Sequence, residues 1–364
     1  MDMKIVKIET AELDSPLITP FKTAERTAYS ISNIVVRITS DTGETGFGEA
    51  PPTAVITGDT KGSIRCAVEE FIAPALIGME IQDIDGISRK LRQAVVRNSS
   101  PRAAVDMAVY DLWAKSLNRP LYELLGGHAD RIETDITISV NPVEEMVADS
   151  LKAVKRGFTC LKIKVGKGGM EDVERIAAIR QAVGQNIRLR VDANQGWDVK
   201  TALKIIRKLE EKDLDIDLIE QPVPAMDLDG MKQCTAQSTI PILADESVFT
   251  PQDAIRVLEE RAADIINIKL MKTGGIYEAL KIISIAETYG IPCMIGQMLE
   301  GKIATAAAAH LGAAKGVCTR ADLDGPSLCS KDLYEGGPVF DGPVIQLTQA
   351  PGLGISGVPC FPKE

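Results

Sequence analysis

The residues best suited to chemistry are Lys162, Lys164, Asp192, Glu220, Asp245 and Lys269, followed by the pair Asp322 and Asp324. Each stands at or near the end of a short apolar run. From Lys162 onward the steps are 30, 28, 25 and 24 residues, then 53 to Asp322, about two units. Residues two apart on a strand point the same way, so Lys162 and Lys164 share a face, as do Asp322 and Asp324. Asp192, Glu220 and Asp245 form an oxygen site of the kind a hard divalent ion such as Mg²⁺ prefers. Lysines flank them on both sides in chain order. Neighbouring cations depress a lysine pKa, and a lysine neutral near pH 7 is a competent general base. The set suits proton abstraction next to a carboxylate, with a cation stabilising the enolate. With a base on each face, removal from one side and return from the other inverts the stereocentre. A plainer account makes every acid a helix cap or salt-bridge partner and every lysine a counter-charge. It serves for one residue but leaves the phasing and two-sided lysines unexplained, and unpaired buried charge is expensive.

Elements with a matching beat must carry these residues. After residue 130, strand-like runs recur at 134–140, 160–166, 188–194, 216–222, 241–247, 265–270, 292–298 and 318–324. Helical stretches lie between most of them, at 143–156, 171–184, 199–211, 251–260, 276–289 and 302–314. The runs are nearly all apolar, as parallel strands under helices are. The pattern predicts a parallel β/α barrel, with chemistry at the C-terminal strand ends. An open doubly wound sheet is the rival, but no GxGxxG follows the first strand. Residues 1–130 read instead as an α+β unit: strands at 4–13, 33–39 and 46–49, then helices at 62–74 and 82–96. A further helix, capped by Ser99 or Ser100 with Pro101 in its first turn, runs through Ala114. The Gly- and Pro-rich tail, with a strand at 344–347, is expected to return to the first unit.

The chain has 364 residues, 41 Lys+Arg against 51 Asp+Glu, a net charge of −10 and 45% hydrophobic residues. This excludes disorder and argues against nucleic-acid binding. No signal peptide or 20-residue apolar span is present, so the chain reads as cytoplasmic and not membrane-bound. The two histidines, His128 and His310, stand far apart and form no zinc signature. Seven scattered cysteines without CxxC read as reduced thiols. Gly166–Gly169 and Lys272–Gly275 look like phosphate loops only superficially, since neither has the P-loop pattern. Trp113 and Trp197 read as packing groups.

The motifs Lys162-Ile163-Lys164, Asp192-Ala193-Asn194, Glu220-Gln221-Pro222, Asp245-Glu246-Ser247 and Lys269 resemble the enolase superfamily, in its muconate-lactonizing subgroup, over essentially the whole chain. The resemblance implies a (β/α)7β modified TIM barrel over 131–334. It also implies an N-terminal α+β capping domain, 1–130, completed by the tail 335–364. Asp192, Glu220 and Asp245 would hold Mg²⁺, with Mn²⁺ as a substitute. Lys164 and Lys269 would be the opposed bases, and Lys162 would assist the enolate oxygens. Asp322-Leu323-Asp324 resembles the paired aspartates with which dipeptide epimerases hold a substrate ammonium, and two acids on one strand face suit a cation. The stretches Pro20 to Thr27 and Ala50 to Asp59 are similar to those of L-Ala-D/L-Glu epimerases. There an Arg matching Arg26 meets the substrate's acidic side chain; its plain alternative is a salt bridge within the capping domain. Thr137 and Met298 match substrate-contacting positions, and Asn194 and Gln221 match groups that orient the ligands. The expectation is a Mg²⁺-dependent isomerase, a homo-oligomer, that inverts the C-terminal residue of an L-Ala-L/D-Glu dipeptide during cell-wall peptide recycling. Alternatives are an epimerase of hydrophobic dipeptides, a muconate cycloisomerase or o-succinylbenzoate synthase-like enzyme, and a non-catalytic binding protein.

Overall fold

The computed structural model describes residues 3–22, 27–127 and 129–361. Strands β1 (Ile5–Lys22), β2 (Thr27–Ser40) and β3 (Thr45–Ala50) form an antiparallel sheet in chain order. The first strand runs well past the expected residue 13. Its pairing register breaks between Pro16 and Phe21, where the sheet tolerates the two prolines, and then resumes at Phe21. The helix Ser99–Ser116 packs onto this sheet almost backbone to backbone. A Cβ on Gly48 would lie 1.7 Å from the Ala104 carbonyl oxygen, and one on Gly46 would lie 2.1 Å from that of Ala108. Neither expected serine caps this helix. Asn98 is the N-cap without a side-chain bond, and Asp59 accepts the Ser100 N–H from outside at 3.1 Å.

Strand β4 (Arg131–Glu133) leads into eight parallel strands. They are β5 (Ile136–Ile138), β6 (Cys160–Lys164), β7 (Arg188–Asp192), β8 (Ile216–Glu220), β9 (Ile242–Ala244), β10 (Ile265–Lys269), β11 (Cys293–Gly296) and β12 (Cys318–Asp322). They follow one another in sheet order, each within the range its apolar run predicts. Helices alternate with them, including a short one, Leu228–Gln237, in the long β8–β9 connection. The two end strands, β5 and β12, meet at a seam closed largely by side chains. Asp324 accepts the Thr137 N–H at 2.7 Å, and Thr134 Oγ1 accepts the Leu323 N–H at 2.7 Å. One backbone bond, Asp135 N–H to Ala321 O at 3.3 Å, lies beside them.

Buried carboxylates from the first 130 residues bind the barrel helices at their N-termini, where free N–H groups favour an acid. Asp106 accepts the Ile276 N–H at 2.5 Å, and Glu49 accepts those of Ile303 and Ala304 at 3.1 and 3.2 Å. Asp111 accepts the N–H groups of Phe47 and of Leu353 in the tail. The tail supplies β13 (Glu335–Gly336), β14 (Val339–Asp341), β15 (Val344–Gln346) and β16 (Ile355–Gly357). It divides its contacts: β15 pairs with β4, while Phe361 lies 4.6 Å beneath the Arg37 guanidinium. Among the described residues no helix is long and apolar enough to cross a membrane.

Candidate active site

Strand register sets the level of the charged groups. Lys164 pairs with Asp192, and Asp192 with Glu220. On the other side Lys269 pairs with Gly296, and Gly296 with Asp322. Strands β6 and β10 stand four places apart in the eight-stranded sheet, so Lys164 and Lys269 face each other across the barrel. Both line one narrow cavity with Lys162, Asp322, Asp324, Thr137 and Met298. Its roof comes from the first 130 residues, as Phe21 and Ile56. Phe21 is held there because the hairpin arm docks on the barrel: Lys22 N–H donates to Ser139 Oγ at 3.0 Å and Lys22 Nζ to Asn141 Oδ1 at 2.8 Å. The sequence marked both stretches but not these two side chains. An apolar residue in a polar loop is the only signal they carry. Arg26 lies outside the described residues.

Behind the cavity the acids and lysines are interleaved and buried. Lys162 Nζ lies 3.1 Å from Asp192, 2.8 Å from Glu220 and 2.6 Å from Asp322. Lys164 meets Asp192 at 2.5 Å, and Lys269 meets Asp245 at 2.6 Å. Two of these lysines are raised by the protein groups around them. Burial alone would lower the Lys162 and Lys269 ammoniums. The carboxylates around them outweigh it, chiefly Asp322 for Lys162 and Asp245 for Lys269, and both stay above the usual lysine range. Burial works against Asp192 too, yet Lys164, Lys162 and Lys269 bring its carboxyl down to about 2. Glu220, which burial and the Asp192 charge both disfavour as an anion, is pushed up to about 7. Asp322 is lowered despite its burial, first by Lys162; burial and the Asp322 charge raise Asp324.

The backbone turns sharply at these strand ends. Asn194 and Gln221 take left-handed φ values of 43° and 36°, a conformation that costs energy outside glycine and recurs at functional sites. The turn at Asn194 lets its N–H donate to Asp192 Oδ1 at 2.8 Å. The Gln221 side-chain oxygen accepts the Asp245 N–H at 2.9 Å, and its nitrogen donates to Ser247 Oγ at 2.8 Å. Asn267 donates to Glu220 Oε1 at 2.9 Å, a link the sequence did not single out.

Among the described residues no three His, Cys, Asp or Glu side chains stand arranged as a formed metal site; lysine ammoniums lie between the acids instead. The donor set nonetheless fits a hard divalent cation. Asp192, Glu220 and Asp245 are buried carboxylates from consecutive strand units, the hard oxygen donors such a cation takes. Beside them Asn194 Oδ1 and Glu246 Oε2 are buried without a hydrogen-bond partner among the described residues, the condition of oxygens that a cation would satisfy.

Other residues fall outside the site. His310 is buried, its Nδ1 accepting the Tyr122 N–H at 3.1 Å; His128 is not among the described residues. Trp197 is buried and donates to Asp172 at 3.2 Å.

Residues 5–126 match the mandelate racemase / muconate lactonizing enzyme N-terminal domain, and residues 145–357 match the enolase C-terminal domain-like family. The L-Ala-D/L-Glu epimerase of Clostridium acetobutylicum is 51% identical over 98% of this chain and 99% of its own. A substrate-liganded structure of the L-Ala-D/L-Glu epimerase from Bacillus subtilis superposes with a TM-score of 0.96 at 49% identity, covering 98% of this chain and 99% of that one. The dipeptide epimerase of Enterococcus faecalis, solved with Mg and the dipeptide L-Leu-L-Tyr, gives a TM-score of 0.94 at 41% identity, covering 98% and 100%.

Proposed function

Because this chain belongs to the enolase superfamily and is an isomerase, we propose that it is a Mg²⁺-dependent dipeptide epimerase that inverts the α-carbon of the C-terminal residue. The observation that carries this reading is the placement of Lys164 and Lys269 across the barrel, both open to one cavity with Asp322 and Asp324. One lysine, neutral, takes the α-proton; the other, protonated, returns one to the opposite face, so charge and protons balance in each turnover. Lys162 sits where an ammonium would stabilise the carboxylate oxygens as charge builds on them. Asp322 and Asp324 would hold the substrate ammonium. Asp192, Glu220 and Asp245 would hold the divalent ion, with Mn²⁺ as a substitute. When bound, that ion supplies Lewis-acid stabilisation of the substrate carboxylate. Residues 1–130 with the tail 335–364 would serve as the capping domain and 131–334 as the catalytic barrel.

L-Ala-L/D-Glu is the dipeptide we favour, with Arg26 reading the acidic side chain and cytoplasmic recycling of cell-wall peptides as the setting. The similarity to the two L-Ala-D/L-Glu epimerases supports it. A hydrophobic dipeptide is the second reading, favoured by the apolar walls Phe21, Ile56, Met298 and Leu299 and by the similarity to the enzyme solved with L-Leu-L-Tyr. A dipeptide library incubated with the protein and Mg²⁺ in deuterated water decides between them. The epimerised substrate gains one deuterium at the C-terminal α-carbon, and a chelator stops the exchange. Absence of exchange from every dipeptide would sink the proposal.

A further inference from the structure

Lys272 follows β10 on the single helical turn Leu270–Thr273, which Gly274 ends in a left-handed conformation, φ 83°. Its side chain is fully buried and does not reach the cavity that Lys269 lines. The turn folds it back beneath the β9 end instead. There Nζ lies 2.6 Å from Asp245 Oδ1 and donates to the Asn267 carbonyl at 3.0 Å and to the Asp245 carbonyl. Of these three oxygens the two carbonyls accept hydrogen bonds, while Oδ1 is held as an ion pair. Two of the three belong to Asp245. The other carboxylate oxygen, Oδ2, faces Lys269 on the cavity side at 2.6 Å. The Asp245 N–H is fixed as well, donating to the Gln221 side chain at 2.9 Å. Asp245 is thus clamped from behind at its carbonyl and one carboxylate oxygen, leaving the second oxygen to the site.

We propose that Lys272 is a positioning residue that presents Asp245 to the divalent ion through Oδ2 alone. The inference rests on the metal reading given above, and two opposing effects separate it from mere charge balance. A nearby ammonium repels a divalent cation, so a lysine that acted only as a charge would weaken cation binding, and its removal would tighten it. A lysine that orients a ligand does the reverse: losing such an outer partner typically costs about 10–100-fold in metal affinity.

The test uses the full-length protein without dipeptide. Mg²⁺ affinity is measured by calorimetry, and Mn²⁺ affinity by loss of the free-ion paramagnetic resonance signal. Lys272→Met removes both hydrogen bonds and the ion pair but keeps the apolar stem, while Lys272→Gln keeps a donor without charge. The expected result is weaker binding by about 10–100-fold in Lys272→Met, a smaller loss in Lys272→Gln, and a changed bound-Mn²⁺ line shape as the carboxylate is freed. Should Lys272→Met fail to fold, the direction of the change in Lys272→Gln decides alone. Unchanged or tighter binding in the folded variants overturns the inference while leaving the metal site intact. Wild-type protein that binds neither ion overturns the metal reading, and this inference with it.

Discussion

Acidification is expected to destabilise the protein through His310, and the size of the effect follows from its surroundings. The imidazole is fully buried in the helix Lys302–Ala314, stacked on Tyr122 at 5.6 Å, with Nδ1 accepting a backbone N–H. Protonation would place a donor against a donor. Burial lowers its pKa from 6.5 to about 3. Above pH 6.5 folded and unfolded chains are both neutral here and the residue contributes nothing. As pH falls through 6.5 the unfolded chain takes up a proton that the folded one refuses, so stability is lost at about 1.4 kcal/mol per pH unit until about pH 3. From pH 7 to pH 5 the loss is about 2 kcal/mol. With an unfolding entropy of about 2.1 cal/mol/K per residue over the chain, that is a drop of about 2–3 °C in Tm. His310→Asn keeps an acceptor near Nδ1 and removes the titration, and every other titrating group is common to both proteins. Scanning calorimetry at pH 7 and pH 5 should therefore show wild type losing about 2–3 °C more than the variant. Imidazole nitrogen spectra should show His310 neutral throughout. Equal losses in the two proteins, or protonation of His310 near its ordinary value, would refute the reasoning.

Three further outcomes are expected. Lys164→Ala and Lys269→Ala should each lower epimerisation by at least about 100-fold, the usual worth of a general base, while one-sided α-proton exchange survives; a wild-type rate in either variant ends the two-base assignment. Asp322→Asn should raise KM for an ammonium-bearing dipeptide, whereas a cycloisomerase or o-succinylbenzoate synthase-like enzyme would be indifferent to it on its own substrate. Gly48→Ala drives a Cβ toward a backbone carbonyl that cannot yield, so it should cost about 1–3 kcal/mol or more; a Tm within a degree of wild type would contradict the close packing of β3 on its helix.

The barrel was legible in the sequence because each β/α unit announces itself locally, by an apolar run, a helical period and a charge at the strand end. That is why all eight barrel strands fall within their expected ranges and why Lys162, Lys164, Lys269, Asp322 and Asp324 meet. What depends on distant parts of the chain was not legible. The strand past residue 13 was hidden by Pro16 and Pro20, which read as a loop until their partners across the sheet are known. The cap on the helix at Ser99 comes from Asp59, forty residues away in sequence. Phe21 and Ile56 reach the cavity only because the arm and loop that carry them dock on the barrel. Lys272 sits in a Gly-rich stretch that imitates a phosphate loop, and only the folded turn shows it directed at Asp245. The carboxylates that raise Lys162 and Lys269 come from separate strands, so their density around each ammonium is visible only in the fold.

The seam between β5 and β12 bears on how this scaffold can change over generations. Asp324 both closes that seam, by accepting the Thr137 N–H, and under the proposed function recognises the substrate ammonium. A descendant that abandoned ammonium-bearing substrates could not discard this residue freely. Alanine would leave a buried N–H unsatisfied, at a cost of about 1–3 kcal/mol, whereas asparagine would drop the charge and keep the acceptor. Asp322 is constrained differently, through its buried ion pair with Lys162. Drift toward a new substrate should therefore hold position 324 to side chains that still accept a hydrogen bond.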